Sequence, residues 1–96
     1  MYRVERTVEF ERWLDGLRDR MAKKRVAMQV RRIETGLLGD WKPVGDGVSE
    51  IRIDYGPGYR LYYTVREQVI VILLCGSAKT DQDRAIRRAK QLAKEV

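Results

Sequence analysis

The sequence predicts an α+β domain, on three observations. Apolar residues recur at helical spacing between residues 8 and 33, the period changes to two from residue 48, and a last amphipathic stretch follows residue 80. The implied order is β-α-α-β-β-β-α, an antiparallel sheet carrying the two N-terminal helices on one face in a two-layer domain, with a C-terminal helix. Ninety-six residues leave room for a single domain over residues 1–96.

Taken in order, Tyr2 to Val4 is extended and needs a sheet edge to hold it. Thr7 caps a helix over residues 8–18, in which Phe10, Trp13, Leu14 and Leu17 share one side. Asp19 caps a second helix whose stripe Ala22, Val26, Val30 and Ile33 runs to Gly36, a C′ glycine. The punctuated stretch 36–47 reads as a long loop, with Trp41 as its apolar tether.

From residue 48 the chain alternates. Ile51 and Ile53 point one way and Glu50, Arg52 and Asp54 the other, the mark of a half-buried strand. Gly56-Pro57-Gly58 reverses the chain, and Tyr59 to Val65 returns antiparallel, with Tyr59, Leu61 and Tyr63 joining the isoleucines. Arg60, Tyr62 and Thr64 then lie beside Arg52 on a face expected to be only partly covered. After a turn at Arg66-Glu67, Val69 to Cys75 is apolar throughout, so this strand is expected to be central, with Cys75 a buried small hydrophobe. Gly76 to Lys79 is read as a turn, and Thr80 as the cap of a helix whose Ala85, Ile86, Ala89, Leu92 and Ala93 cover the far face of that strand.

Composition excludes much. With no histidine and one cysteine, an internal disulfide, a zinc site of the usual ligands and histidine-based nucleophilic or acid–base catalysis are all out. A phosphate-binding GxxxxGK[ST] loop is absent and the carboxylates lack calcium-loop spacing, so no metal and no cofactor is expected. The longest apolar run, Val69 to Cys75, falls far short of the roughly 20 residues that cross a bilayer. The N-terminal residues mix both charge signs with no apolar h-region, so a cytoplasmic protein without a membrane partner is expected.

The net charge of +6 suggests a polyanionic partner. Its position is informative: Arg18 to Arg32 holds seven basic residues and one acid, which accounts for all of it. Helical spacing fans Arg20, Lys24, Arg25, Arg31 and Arg32 across the side opposite the apolar stripe, and with Lys23 they form a basic outer face. Such a face is most often simply solvated; it also suits RNA or phosphate without sequence preference.

Two readings stand for the strand arginines. Glu50 and Asp54 flank Arg52 at i±2, so salt-bridged decoration of a solvated face is the commoner arrangement. The sharper reading makes Arg52, Arg60 and Tyr62 an anion-binding patch, with Lys42 and Lys79 arriving from adjacent loops; Arg66, in the turn that follows, is a further candidate for RNA or phosphate.

The run from Gly39-Asp40-Trp41-Lys42-Pro43 through Glu50-Ile51-Arg52-Ile53-Asp54-Tyr55-Gly56-Pro57-Gly58-Tyr59-Arg60-Leu61-Tyr62-Tyr63 resembles the toxin of a bacterial type II toxin–antitoxin module. It is similar to the HigB-like "addiction module killer protein" branch of the RelE/ParE superfamily. Phe10 to Asp19 and Leu73 to Asp83 carry the resemblance as well, with Ser77-Ala78 where the family pattern has Gly-Asp. It implies a RelE-like fold and a cognate helix-turn-helix, HigA-like antitoxin as partner, operator DNA being met only through that antitoxin. RelE and HigB members cleave mRNA in the ribosome, whereas ParE-like members poison DNA gyrase without being enzymes; a non-toxic interaction partner or repressor is a third possibility.

On the ribonuclease reading, cleavage by the neighbouring 2′-hydroxyl needs a base, charge neutralisation and a proton for the leaving oxygen. Arginine stays protonated, so Arg60 and Arg52 are clamps and stabilisers, with Arg60 carrying the largest share. A lysine acts as base only with a pKa well below about 10.4, which is the condition on Lys79. Tyr62 is the candidate acid or base-stacking ring. With no strong base evident, rate must come from holding the RNA in line, the physical argument for ribosome dependence.

Overall fold

The computed structural model describes residues Met1–Val96. The chain runs β1 (Arg3–Arg6), α1 (Val8–Asp15), α2 (Arg20–Glu34), β2 (Asp40–Gly45), β3 (Val48–Ile53), β4 (Tyr59–Arg66), β5 (Ile70–Ala78), one 3₁₀ turn (Lys79–Asp81) and α3 (Gln82–Glu95). One sheet in the order β1-β5-β4-β3-β2 holds all five strands. The fold is α+β, as expected, and consistent with a RelE-like fold. No helix is long and apolar enough to cross a membrane.

The helix ends follow their caps. Thr7 Oγ1 accepts from the Phe10 N–H at 3.0 Å and donates to the Leu74 carbonyl at 2.6 Å, so the residue that starts α1 also pins it to β5. Asp19 accepts from Met21 and Ala22 at the start of α2. The Ala22 N–H, helped by the Tyr55 hydroxyl, holds its carboxyl below the usual carboxylate value. At the other end Gly36, at φ 96°, closes α2: its N–H bonds the Ile33 carbonyl and that of Leu37 the Arg32 carbonyl.

The two faces fill as the alternation demands. Ile51, Ile53, Tyr59, Leu61 and Tyr63 face α1 and α2 and pack with Phe10, Val26, Val30 and Ile33. Val48, Tyr62, Ile72, Leu74 and Cys75 form the second core under Ala89, Leu92 and Ala93 of α3. The far face expected to be partly open is therefore closed over Tyr62, whose side chain is fully buried.

The structure differs from the sequence reading at several points. Helix α1 stops at Asp15, since the Leu17 N–H reaches only the i−3 carbonyl of Leu14 and the chain then straightens for the Asp19 cap. The expected loop contains β2, paired with β3 through Asp46-Gly47, both at positive φ; a two-residue Asp-Gly turn matches the twist of a hairpin. Trp41 is accordingly half-exposed on an edge strand, opposite Ile51 of β3, in place of a tether within a loop. Strand β1 runs parallel to β5, making the sheet mixed. Residues 76–78 continue β5, and Thr80 sits in the 3₁₀ turn, so α3 begins at Gln82 without a side-chain cap.

Strand β5 also carries a bulge. Tyr62 pairs with Cys75 and Tyr63 with Leu73, so Leu74 and Cys75 both serve the α3 core and the parity flips beyond them. Ser77 is thereby set beside Arg60, and Gly76 is turned towards α1. The Trp13 ring lies flat against Gly76, where any Cβ would overlap the indole carbons Cε3, Cζ3 and Cδ2. Gly76→Ala is expected to cost about 1–3 kcal/mol through overpacking, read as a lower urea midpoint with an unchanged slope.

Candidate functional site

Arg52 on β3 and Arg60 on β4 are directly opposite cross-strand partners, and Ser77 on β5 is opposite Arg60. Like charges so placed repel, and each arginine is met by an acid. Arg52 grips one oxygen of Asp40 through Nε and Nη2, both at 2.9 Å. Arg60 lies 3.9 Å from Glu50, a carboxylate with no solvent exposure. The pairing therefore differs from that read off the sequence: Asp40, brought in by β2, takes the place of the two flanking acids on Arg52.

Glu50 is the hub. Lys42 Nζ approaches it at 3.6 Å from β2 and Gln82 Nε2 donates at 3.1 Å from the first turn of α3, in addition to Arg60 from β4. A buried carboxylate is tolerated only when paired and hydrogen-bonded, and three elements supply that. Neither Glu50 nor Gln82 was a candidate in the sequence; the one available signal was an acid on the strand face that carries both arginines.

Arg60 keeps capacity in reserve. It is 8% exposed, and of its five N–H donors one is spent, Nη1 on the Tyr59 carbonyl at 3.4 Å, while its buried Nε bonds nothing. It opens on a cleft of about 390 Å³ shared with Arg52, Lys79, Asp54 and the Gly56-Pro57-Gly58 turn. The Lys79 N–H holds the Gly58 carbonyl at 2.9 Å, which fixes that turn against the end of β5. Neither Lys79 nor Asp54 has an ion-pair partner within the chain. Two arginines and a free lysine thus converge on one hollow, with a free carboxylate that sequence reading did not single out.

The remaining predicted site residues lie elsewhere. Tyr62 sits beneath α3, bonded to Ser77 Oγ at 3.1 Å, and burial pushes its hydroxyl up to about 12. No face of its ring is open for a base to stack upon. Lys42 is more than half exposed beyond Glu50 and does not line the cleft. Arg66, at the opposite end of β4, donates to the carbonyls of Ala93 and Val96 and so closes the C-terminus of α3. Arg20 and Arg31 are exposed on α2, Lys23 is tied to the Asp15 carbonyl at 3.1 Å, and Lys24 lines a groove between α2 and the β2–β3 end.

Residues 12–96 match the family described as "Phage derived protein Gp49-like (DUF891)". The chain belongs to this Gp49-like family. A relative from Haemophilus influenzae, described only as an uncharacterized protein, is 43% identical over 93 residues, covering 97% of this chain and 94% of the relative. Gp49-like proteins are toxins of the RelE/addiction-module killer type, so an antitoxin partner goes with the family. The cleft and its three cations fall inside the matched region.

Two measurements bear on this Gp49-like site. Glu50→Ala leaves Arg60 without its acid and is expected to cost about 3 kcal/mol by urea unfolding, with a smaller added loss when Arg60→Met is combined with it in a double-mutant cycle. The second is alkaline. Burial raises Tyr62 and Cys75 to about 12 in the folded chain, so the unfolded chain releases these protons first. Stability is expected to be fully present below the unfolded thiol value near 9 and to fall as pH rises from there to about 12. Tyr62→Phe should flatten the upper part of that decline.

Proposed function

We propose that the chain is the toxin of a type II toxin–antitoxin module and that it cleaves mRNA on the ribosome, with a helix-turn-helix, HigA-like antitoxin as its partner. The observation that supports this best is Arg60: a buried, under-bonded guanidinium opening on a cleft with Arg52 and Lys79. Such an arrangement suits a dianionic phosphorane more than it suits the stability of the free chain.

In this reading the 2′-hydroxyl oxygen bonds to the adjacent phosphorus while the bond to the 5′-oxygen breaks, leaving a 2′,3′-cyclic phosphate and a 5′-hydroxyl. Arg60 and Arg52 hold the non-bridging oxygens, and the ammonium of Lys79 gives a proton to the leaving oxygen. Asp54, the unpaired carboxylate of the cleft, receives the 2′-hydroxyl proton. A carboxylate is a weak base for this task, so alignment of the strand carries most of the acceleration, which is what a ribosome supplies. Tyr62 has a supporting role, holding Ser77 beside Arg60. Arg20, Lys23, Lys24 and Arg31 provide a basic flank for ribosomal RNA, while Lys42 acts on phosphate only indirectly, through Glu50. Arg66 serves the helix end in place of phosphate.

A second reading has a specific observation in its favour: both arginines already possess acids, as a non-enzymatic gyrase-binding toxin of the ParE kind would allow. Transcript ends mapped after brief induction separate the two. The ribonuclease reading expects cuts at codon positions in translated RNA; their absence during growth arrest sinks it. Arg60→Ala is expected to lower cleavage about 100-fold or more and to abolish growth arrest while antitoxin binding is kept. Full toxicity of that variant would remove Arg60 from the mechanism.

A further inference from the structure

Helix α2 turns a mixed stripe towards the sheet end. Met21, Lys24, Arg25, Met28 and Arg32 follow at helical spacing along one wall of a groove of about 490 Å³, whose other wall is Gly39 and Asp40 at the start of β2 with Arg52 and Ile53. Met21 and Met28 are 46% and 45% exposed, on a helix whose other outward residues are largely charged. Gln29, only 8% exposed, sits in the same wall with an amide nitrogen that bonds nothing in the chain. Beyond Gln29 and Arg32 the groove runs into a second hollow, where Leu37 and Trp41 are 62% and 49% exposed. Strand β2, which borders both hollows, has no neighbour on its outer edge.

We propose that this groove is the seat of an acidic, apolar-anchored peptide segment of the antitoxin. The inference rests on the toxin reading for the identity of the partner; the chemistry of the occupant comes from the groove. Cations at Lys24, Arg25 and Arg32 call for carboxylates. The aliphatic surface of Met21, Met28 and Leu37 calls for large apolar side chains, which a sugar–phosphate backbone does not have. Unpaired backbone groups along the outer edge of β2 suit a peptide's alternating donors and acceptors. Asp40, Arg52, Ile53 and Asp54 line both this groove and the cleft, so an occupant that reaches the groove's end meets Arg52. Its carboxylates would compete there with RNA phosphate, and neutralisation follows from the shared wall.

The test uses two labelled probes in fluorescence anisotropy against the full chain: a 15-residue peptide of glutamates with leucines at every third or fourth position, and a 12-nucleotide single-stranded RNA. The double variant Met21→Ser/Met28→Ser keeps the charge and alters exposed side chains only. It is expected to weaken the peptide at least fivefold and the RNA less than twofold, whereas Arg20→Glu, on the outer face, should do the reverse. Equal loss of both probes, or peptide affinity unchanged within twofold, overturns the proposal, the first result making the groove a nucleic-acid track. In cells, the double variant is expected to arrest growth as the parent does but to escape silencing by the protein encoded beside it. Full silencing of the variant refutes the groove as the antitoxin's seat. A parent chain that arrests nothing refutes the toxin reading instead, and the two-probe comparison then still decides what the groove binds.

Discussion

Glu50 is a carboxylate without access to water, and its burial has to be compensated by the elements packed around it. An ionised group in a protein interior is held only where opposite charge and hydrogen bonds surround it. Here the partners come from three directions: Lys42 from the edge strand β2, Arg60 from the adjacent strand β4, and Gln82 from the first turn of α3. Each must arrive in register for the others to be useful. The buried acid thus fixes where α3 starts, which explains how a helix without a side-chain cap keeps a defined origin.

The same acid governs the site. Arg60 is drawn inward by Glu50 and leaves most of its donors unspent, while its cross-strand neighbour Arg52 is pulled outward to Asp40. Two guanidinium groups that repel one another are thereby held at one mouth, with Lys79 delivered by the turn that the Gly58 carbonyl anchors. This arrangement is poor for stability taken alone, because a hydrophobic pair at positions 50 and 60 would need no compensation. Retaining it makes sense where the cleft must meet an anion with donors already oriented, since nothing then has to reorganise on binding.

Much of this was legible in the sequence, and what was not had physical causes. The helix stripes, the Asp19 cap, the Gly36 stop and the alternation through Ile51 to Tyr63 depend on local rules and were readable. The strand at residues 40–45 was hidden by its glycines and by Pro43, which an edge strand tolerates; the signal that could have found it is Asp46-Gly47. A period-two reading also assumes unbroken parity, and the bulge at Leu74 breaks it, so Gly76 and Ser77 were taken for a turn while they in fact place Trp13 and Arg60. Arg52, Arg60 and Lys79, grouped in one of the two readings of the strand arginines, line one cleft, whereas Lys42 of the same group does not. Arg66 and Tyr62 were misplaced for one shared reason: nothing local in the sequence reveals that α3 lies across β4 and claims both.

The charge of the chain then divides by distance. Residues 18–32 carry the whole net charge of +6 on a solvated helix, where it acts over about one Debye length of 8–10 Å and weakens as salt rises. The cleft contributes little at that range, since Asp40 and Glu50 cancel the arginines they hold. At contact the balance differs, because a phosphate that displaces water from a partly buried guanidinium interacts in a lower effective dielectric and is screened much less. Long-range attraction and close contact therefore answer to different variables. On the reading proposed above, salt should slow the approach of a polyanion to α2 and weaken a close contact at Arg60 much less, and a partner lodged between α2 and β2 would interfere with both at once.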